Sequence, residues 1–424
     1  MNLYKEFRID EDIVKYVIKC DEELVDIYKK RDDISLYNQL KVINAFHKNN
    51  LMDAHFAGST GYGYGDIGRD TIDNIFADIF HTEDALVRSH IASGTHAISL
   101  ALRACLLPND KLVYLTGKPY DTIHSTIGFN KESCSLIEQG VLYDEVCLKD
   151  GKIDIEGIKN KVTKDTKMVA LQKSCGYENR NTFTLGELEE AIKVVKEINK
   201  DIIVFVDNCY GEFTSKLEPT DVGADIIAGS LIKNIGGGVA RTGGYLAGRK
   251  DLIERVSYKL TAPGLGREVG SSLEANLSIL QGLFLAPSVT KEAIKNAILM
   301  AYVYEKLGFE VSPKYDVDRE DIIQNIFLKD RETLIEYCRG IQAACAVDSF
   351  SVPEPSSMPG YDSEVIMASG SFIQGSSIEL SADAPIREPF SVFYQGGLTH
   401  EQGILGVMKT MQYLRKINKL PSLK

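Results

Sequence analysis

Between residues 112 and 247 the chain carries five short runs that are apolar at nearly every position: Leu112–Leu115, Met168–Leu171, Ile202–Val206, Ile226–Ala228 and Tyr245–Ala247. A strand with one face in water alternates apolar and polar residues, so an uninterrupted run needs cover on both faces. The segments between the runs carry apolar residues at helical spacing, which supplies that cover. Strands alternating with helices predict an α/β fold with a parallel or mostly parallel sheet between two helical layers.

Such a sheet does not use all 424 residues. Residues 1–45 read as an N-terminal helical arm, with Ile13, Val14, Val17 and Ile18 on one stripe. Residues 46–290 read as the large α/β domain. It opens with a polar, glycine-rich loop (Gly58–Gly68) and a helix starting near Thr71. Residues 291–424 read as a smaller C-terminal α+β domain. This part holds a long helix over Lys291–Leu307, apolar runs near Ile322–Leu328 and Ala343–Val347, a proline-rich loop at Pro353–Tyr361, and a final amphipathic helix from Gln402 to Ile417.

Sixty acidic against forty-eight basic residues give a formal charge of −12, which repels phosphate backbones and argues against a nucleic-acid partner. Eight cysteines stand without a CxxC pair, and the histidines lack metal-site spacing, so no metal site is expected. No apolar stretch approaches the ~20 residues of a bilayer span. A soluble, cytoplasmic protein with no membrane partner is the expectation.

Three features sit at strand ends. Ser93-Gly94-Thr95-His96 leads into the apolar helix Ala97–Leu102, and the free N–H groups of a helix start can hold a phosphate. Taken alone, the same residues are as readily an N-cap. Asp207 ends the run Ile202–Val206, where α/β proteins bind ligands, although a lone Asp there can also cap the next helix. Lys233 follows Ser230-Leu231-Ile232 and precedes Asn234-Ile235-Gly236-Gly237-Gly238. Its small, apolar sequence setting predicts a lowered pKa and an amine nucleophile, against the alternative of a surface lysine. The glycines count against a surface position, since they imply backbone packed close to something. In combination these parts match the needs of pyridoxal phosphate. That cofactor requires a lysine for an imine, a carboxylate for its pyridine nitrogen, donors for its phosphate, and an aromatic ring to stack on it, here Tyr120.

Two motifs are decoys. Gly63-Tyr-Gly65-Asp-Ile-Gly68 fits GxGxxG but follows no buried strand. Ser230-x-x-Lys233 fits SxxK without its partner motifs.

With these residues in view, the sequence resembles the fold-type-I pyridoxal-phosphate enzymes. Within them it is similar to the cystathionine/methionine γ-lyase-like group, aluminium-resistance branch. The matching residues are Gly61–Thr71, Val87-Arg88 with Ser93–His96, Lys118–Thr122, Val206–Asn208, Lys233–Gly238 with Gly243–Tyr245, and Ala384–Pro389. The resemblance implies a mostly parallel seven-stranded sheet flanked by helices, with the smaller C-terminal α+β domain. It implies an internal aldimine on Lys233, Asp207 on the pyridine nitrogen, Gly94, Thr95 and Ser230 (with Ser93) at the phosphate, and Tyr120 on the ring. It also implies a homotetramer, a dimer of dimers with shared active sites, in which Tyr64 reaches a neighbour's phosphate. Asp66 stands where the accompanying arginine belongs, with Arg69 or Tyr62 as stand-ins. Arg387 is the candidate for the substrate α-carboxylate, against a structural salt bridge. Cys175 and Asn179 are candidates for lining the cofactor's oxygen side. The expected activity is a carbon–sulfur lyase of the cystathionine β-lyase or methionine γ-lyase type on a small amino-acid substrate, with Tyr120 as a general acid. An aminotransferase, an aldolase-type enzyme or a non-catalytic metal-tolerance binding protein stay open.

Overall fold

The computed structural model describes residues 3–358 and 363–423. Its larger sheet consists of Asp84–Arg88 (β1), Lys111–Tyr114 (β2), Leu142–Glu145 (β3), Thr166–Gln172 (β4), Ile203–Asp207 (β5), Ile226–Ser230 (β6) and Gly244–Gly248 (β7), in the order β1-β7-β6-β5-β4-β2-β3. Only β7 runs antiparallel to its neighbours, β1 and β6; the remaining pairs are parallel. The five apolar runs are five of these strands, so the seven-stranded, mostly parallel α/β sheet is the fold. The other two were hidden for different reasons. β1 is a three-residue apolar stretch between Asp84 and Arg88, and β3 is a half-exposed edge with Asp144 and Glu145 in it.

The helices are Leu3–Glu6 (α1), Glu11–Glu22 (α2), Val25–Lys48 (α3), Ile67–Ile79 (α4), Gly94–Cys105 (α5), Asp121–Ile127 (α6), Ile155–Lys161 (α7), Leu185–Ile198 (α8), Lys250–Leu260 (α9), Ala275–Lys306 (α10), Arg331–Gln342 (α11) and His400–Lys416 (α12). They cover both faces of the sheet, as the continuous runs require. Along β5, Ile203 and Phe205 pack with Ile98 and Leu102 of α5 and Val256 of α9. Val204 and Val206 point the other way, into a core with Ile72 and Phe76 of α4 and Leu188 of α8.

A second, antiparallel sheet is formed by Glu310–Ser312 (β8), Gln324–Phe327 (β9), Val365–Ser369 (β10), Ser381–Pro385 (β11) and Ser391–Gln395 (β12), in the order β10-β11-β12-β9-β8. Its strands alternate. Ala382 and Ala384 enter a third core with α11 and α12, whereas Ser381 and Asp383 face the larger sheet. That third core also takes Ile13, Val17 and Leu24 from the N-terminal helices.

α10 is longer than the sequence indicates, beginning at Ala275 rather than Lys291 and holding Pro287 inside it. Its first half (Ile279, Leu283, Ala286) belongs to a core of the larger sheet and its second half (Ala293, Ile298, Val303) to the third core. The apolar run Ala343–Val347 is no strand; it is the irregular end of α11. α4 starts at Ile67, four residues before Thr71, because Asp66 accepts the Arg69 N–H at 2.9 Å as its N-cap. Of the proline-rich loop, residues 359–362 lie outside the described residues.

The edge strand β1 is tied to α4 by a buried ion pair. Arg88 Nη1 donates to both Asp73 carboxylate oxygens, at 2.7 and 2.9 Å, and the Val87 N–H donates to the same carboxylate at 2.8 Å. Both side chains are almost fully enclosed. Truncating one partner strands the other's charge in the core, so Asp73→Ala is expected to lower unfolding free energy by about 3–5 kcal/mol, measured by urea denaturation.

Candidate active site

The carboxyl ends of β4, β5 and β6, the start of α5 and the polar face of the small sheet enclose a cavity of about 310 Å³. This is where parallel α/β sheets place ligands. Ser93, Gly94, Thr95, Tyr120, Asp207, Ser230 and Lys233, all singled out from the sequence, line it together.

Ser93 does cap α5, its hydroxyl accepting the His96 N–H at 3.1 Å, so the N-cap and ligand-site readings coexist. The N–H groups of Gly94 and Thr95 are left without an intrahelical acceptor. Gly94 is packed closely. A Cβ on it would stand 3.2 Å from Cys209 Sγ, 3.5 Å from Ser230 Cβ and 4.0 Å from Lys233 Nζ. The helix start, the end of β6 and the lysine amine therefore share one small space. Thr95 is steadied by the Thr122 hydroxyl at 2.8 Å. Tyr120 begins α6; its N–H donates to Gln172 Oε1 at 2.6 Å, and its ring meets the Tyr177 ring edge-on at 5.6 Å.

Asp207 accepts the Cys209 N–H at 3.1 Å. Burial raises its pKa, while the Lys233 charge opposes the rise. Burial alone disfavours the Lys233 ammonium, but Cys209, Tyr210, Asp207 and Glu212 surround it and lift its pKa above the ordinary lysine range. That overturns the lowered value expected from the sequence: its spatial neighbours are acidic groups, not the apolar residues beside it in the chain. The amine also lies 4.0 Å from the centre of the Tyr210 ring. Tyr210 holds φ +71°, a left-handed conformation that a tyrosine adopts only when its surroundings enforce it.

The glycines after Lys233 are packed as their number implied. Gly237 has φ +55°, and a Cβ there would come within 2.3 Å of the Gly282 carbonyl on α10.

The small sheet contributes residues that the sequence reading did not assign. Met367, Asp383 and Phe393 are partners in one row across β10, β11 and β12, and Ser369, Ser381 and Gln395 form the next row. All six line the cavity. Asp383 Oδ2 accepts from Gln395 Nε2 at 2.8 Å, and the carboxylate also accepts from Tyr177. Burial pushes its pKa up to about 6, with these donors and the Lys233 charge opposing. The period-two pattern Ser381-Ala-Asp383-Ala was the available signal.

Other candidates lie elsewhere. Arg387 is exposed on the turn after β11, and no arginine lines the cavity among the described residues. Tyr64 is exposed and stacks on Tyr62 at 5.5 Å. Asp66 is enclosed and bound to Ser59, Ser272 and Asn276. Arg69 is buried and donates to the carbonyls of Gly63 (2.9 Å) and Gly270 (3.0 Å), which stiffens the glycine-rich loop. Cys175 and Asn179 do not line the cavity; Cys175 packs with Ile323 and Phe393, and Asn179 accepts from Asn325 at 2.8 Å.

Pyridoxal phosphate fits this donor set. Gly94 leaves open the space a phosphate oxygen needs beside Ser230, Asp207 is a half-buried carboxylate at a strand tip, and the only lysine lining the cavity among the described residues is Lys233.

Residues 13–415 match the family model described as methionine gamma-lyase. An uncharacterized protein, YnbB, of Bacillus subtilis is 49% identical over 91% of this chain and 92% of its own. The crystal structure of a "putative cystathionine beta-lyase involved in aluminum resistance" from Clostridium acetobutylicum superposes with a TM-score of 0.94, at 48% identity over 97% of this chain and 98% of its own. A carbon-sulfur lyase involved in aluminum resistance from Clostridium novyi does so with 0.92, at 49% identity over 96% and 97%. The pyridoxal-5'-phosphate dependent protein YhfS of Escherichia coli shares the fold at 14% identity (TM-score 0.61; 90% and 96% covered).

Behind the cavity, Glu212 is fully buried and accepts from the Tyr245 hydroxyl at 2.8 Å. Burial pushes its pKa from the ordinary 4.5 up to about 8. The fold therefore holds this proton more tightly than the unfolded chain does. Its stability contribution is fully present below pH 4.5 and is lost as pH rises toward about 8. Glu212→Gln keeps the acceptor and removes the titration. Its melting temperature is expected to gain a few degrees on wild type between pH 5 and pH 8.5, by calorimetry of the cofactor-free proteins.

Proposed function

The chain belongs to the methionine gamma-lyase family, and from that premise we propose that it is a pyridoxal-phosphate-dependent carbon–sulfur lyase acting on a sulfur amino acid. The observation that carries this reading is the convergence of the Lys233 amine, the Asp207 carboxylate and the open start of α5 in one cavity.

Pyridoxal phosphate, when bound, supplies an electron sink for the pair left on the substrate α-carbon. Lys233 is the residue that holds it, through its amine. The same amine, when free, would be the base for the substrate α-proton. Asp207, half-buried at the tip of β5, is the carboxylate that would pair with a protonated pyridine nitrogen. Gly94 and Thr95, through their N–H groups, and the Ser230 hydroxyl receive the phosphate. Tyr120, which lines the same cavity, would stack on the ring and serve as the acid for the departing sulfur. The raised pKa of Lys233 favours the ammonium, a charge that would attract an anionic cofactor. The reading extends to a homotetramer of paired dimers in which the exposed Tyr62 and Tyr64 meet a neighbouring copy.

The purified wild type is expected to show a visible absorption band that Lys233→Ala lacks, and L-cystathionine is expected to yield keto acid, ammonia and thiol at a rate that falls at least about 10³-fold in the variant. A wild type that stays colourless after reconstitution overturns the cofactor assignment. Turnover that requires an acceptor keto acid makes it an aminotransferase.

A further inference from the structure

The ionisable inventory of the cavity is unbalanced. Asp207 lines it from the larger sheet and Asp383 from the smaller one, while Lys233 is the one lysine or arginine among the described lining residues. The lysine charge acts on both carboxylates. In the reading above, both Asp207 and Lys233 are committed once the cofactor is held: Asp207 to the pyridine nitrogen, and the lysine amine to the cofactor and then to the α-proton. Asp383 is left facing the cavity with neutral donors on one side, Gln395 and Tyr177, and no cation of its own. A half-buried carboxylate without a counter-charge is costly, and a ligand that brings a cation relieves that cost.

A second observation points the same way. The Ser381 hydroxyl, on the same face of β11 two residues from Asp383, is 4% exposed, lines the cavity and has no hydrogen-bond partner. Buried hydroxyls are normally satisfied. Here an acceptor oxygen and a carboxylate lie on the same face of β11, both lining the cavity, and together they suit an N–H donor. The substrate's α-amine is not that donor, because it must go to the place of the lysine amine.

We propose that Asp383, assisted by Ser381, is the specificity-determining residue of this site and receives a second ammonium, carried at the far end of the substrate side chain. The inference rests on the lyase reading and narrows it. The preferred substrates are diamino-acid thioethers of the cystathionine kind, and methionine and cysteine, which lack a distal ammonium, are poor ones.

The test compares L-cystathionine with its analogue in which hydrogen replaces the distal amino group, on the holoenzyme of wild type, Asp383→Asn and Asp383→Glu. The readouts are kcat/KM and, separately, equilibrium binding followed by the change in visible absorption. Wild type is expected to favour cystathionine. Asp383→Asn is expected to cut the ratio of the two kcat/KM values, and of the two affinities, by about 10- to 100-fold, the worth of a hydrogen bond between charged groups. Asp383→Glu should restore part of it. Equal losses on both ligands overturn the proposal and make Asp383 structural or a general acid; an unchanged ratio overturns it outright. Selective binding without turnover sinks the lyase reading and keeps this one, whereas turnover without selectivity does the reverse. Binding of neither ligand overturns both. Should Asp383→Asn fail to fold, Ser381→Ala is expected to lower the same ratio several-fold, and no change there overturns the proposal.

Discussion

The lysine at the centre of this site is fixed in place by a contact between two stretches of bare backbone. The turn that follows it, Gly236–Gly238, lies against α10 so closely that a single methyl group on Gly237 would meet the Gly282 carbonyl at 2.3 Å, and one on Gly282 would meet the Gly236 carbonyl at 2.2 Å. Because the turn cannot lift away from α10, Lys233 projects from the end of β6 toward the start of α5 instead of into solvent. Asp207, one strand over, and Gly94, at the helix start, are placed by the same sheet. Asp207 on a strand, Gly94 on a helix and Lys233 in a turn packed against α10 are thereby held in fixed mutual geometry.

That arrangement gathers acids around one base. Glu212, Asp207 and Asp383 all have raised proton affinities because they are buried, and all feel the Lys233 charge. The lysine charge lowers the proton affinity of each, so their titrations are coupled through it. Tyr210, strained into the left-handed region and laid under the amine, closes the remaining side.

The larger sheet was legible because a strand buried on both faces has no choice but to be apolar, and the five central strands are. Edge strands escape that rule, which is why β3, with Asp144 and Glu145, left no signal. Lys233, Asp207, Tyr120 and the Ser93–Thr95 turn were legible because each stands next to a run or turn whose place in the fold is recognisable. Arg387 drew attention as a guanidinium able to fork onto a carboxylate, yet it is exposed, and the polar group that faces the cavity is Asp383, four residues earlier. The alternation Ser381-Ala-Asp383-Ala carried that information, but four residues of period-two pattern do not say what their polar face looks at. Nor does the sequence near Lys233 report the acids that gather around it, since they arrive from β5 and β11 through folding. The direction of its pKa was legible only in three dimensions.

α10 contributes side chains to a core of the larger sheet with its first half and to the core of the smaller sheet with its second, continuing through Pro287. A connector of this kind is a shared beam rather than a hinge. Neither sheet can lose its packing without stripping one half of the helix, and a half-stripped helix of this length retains little stability in water by itself. The two sheets, though separate in topology, are thereby joined into one cooperative unit.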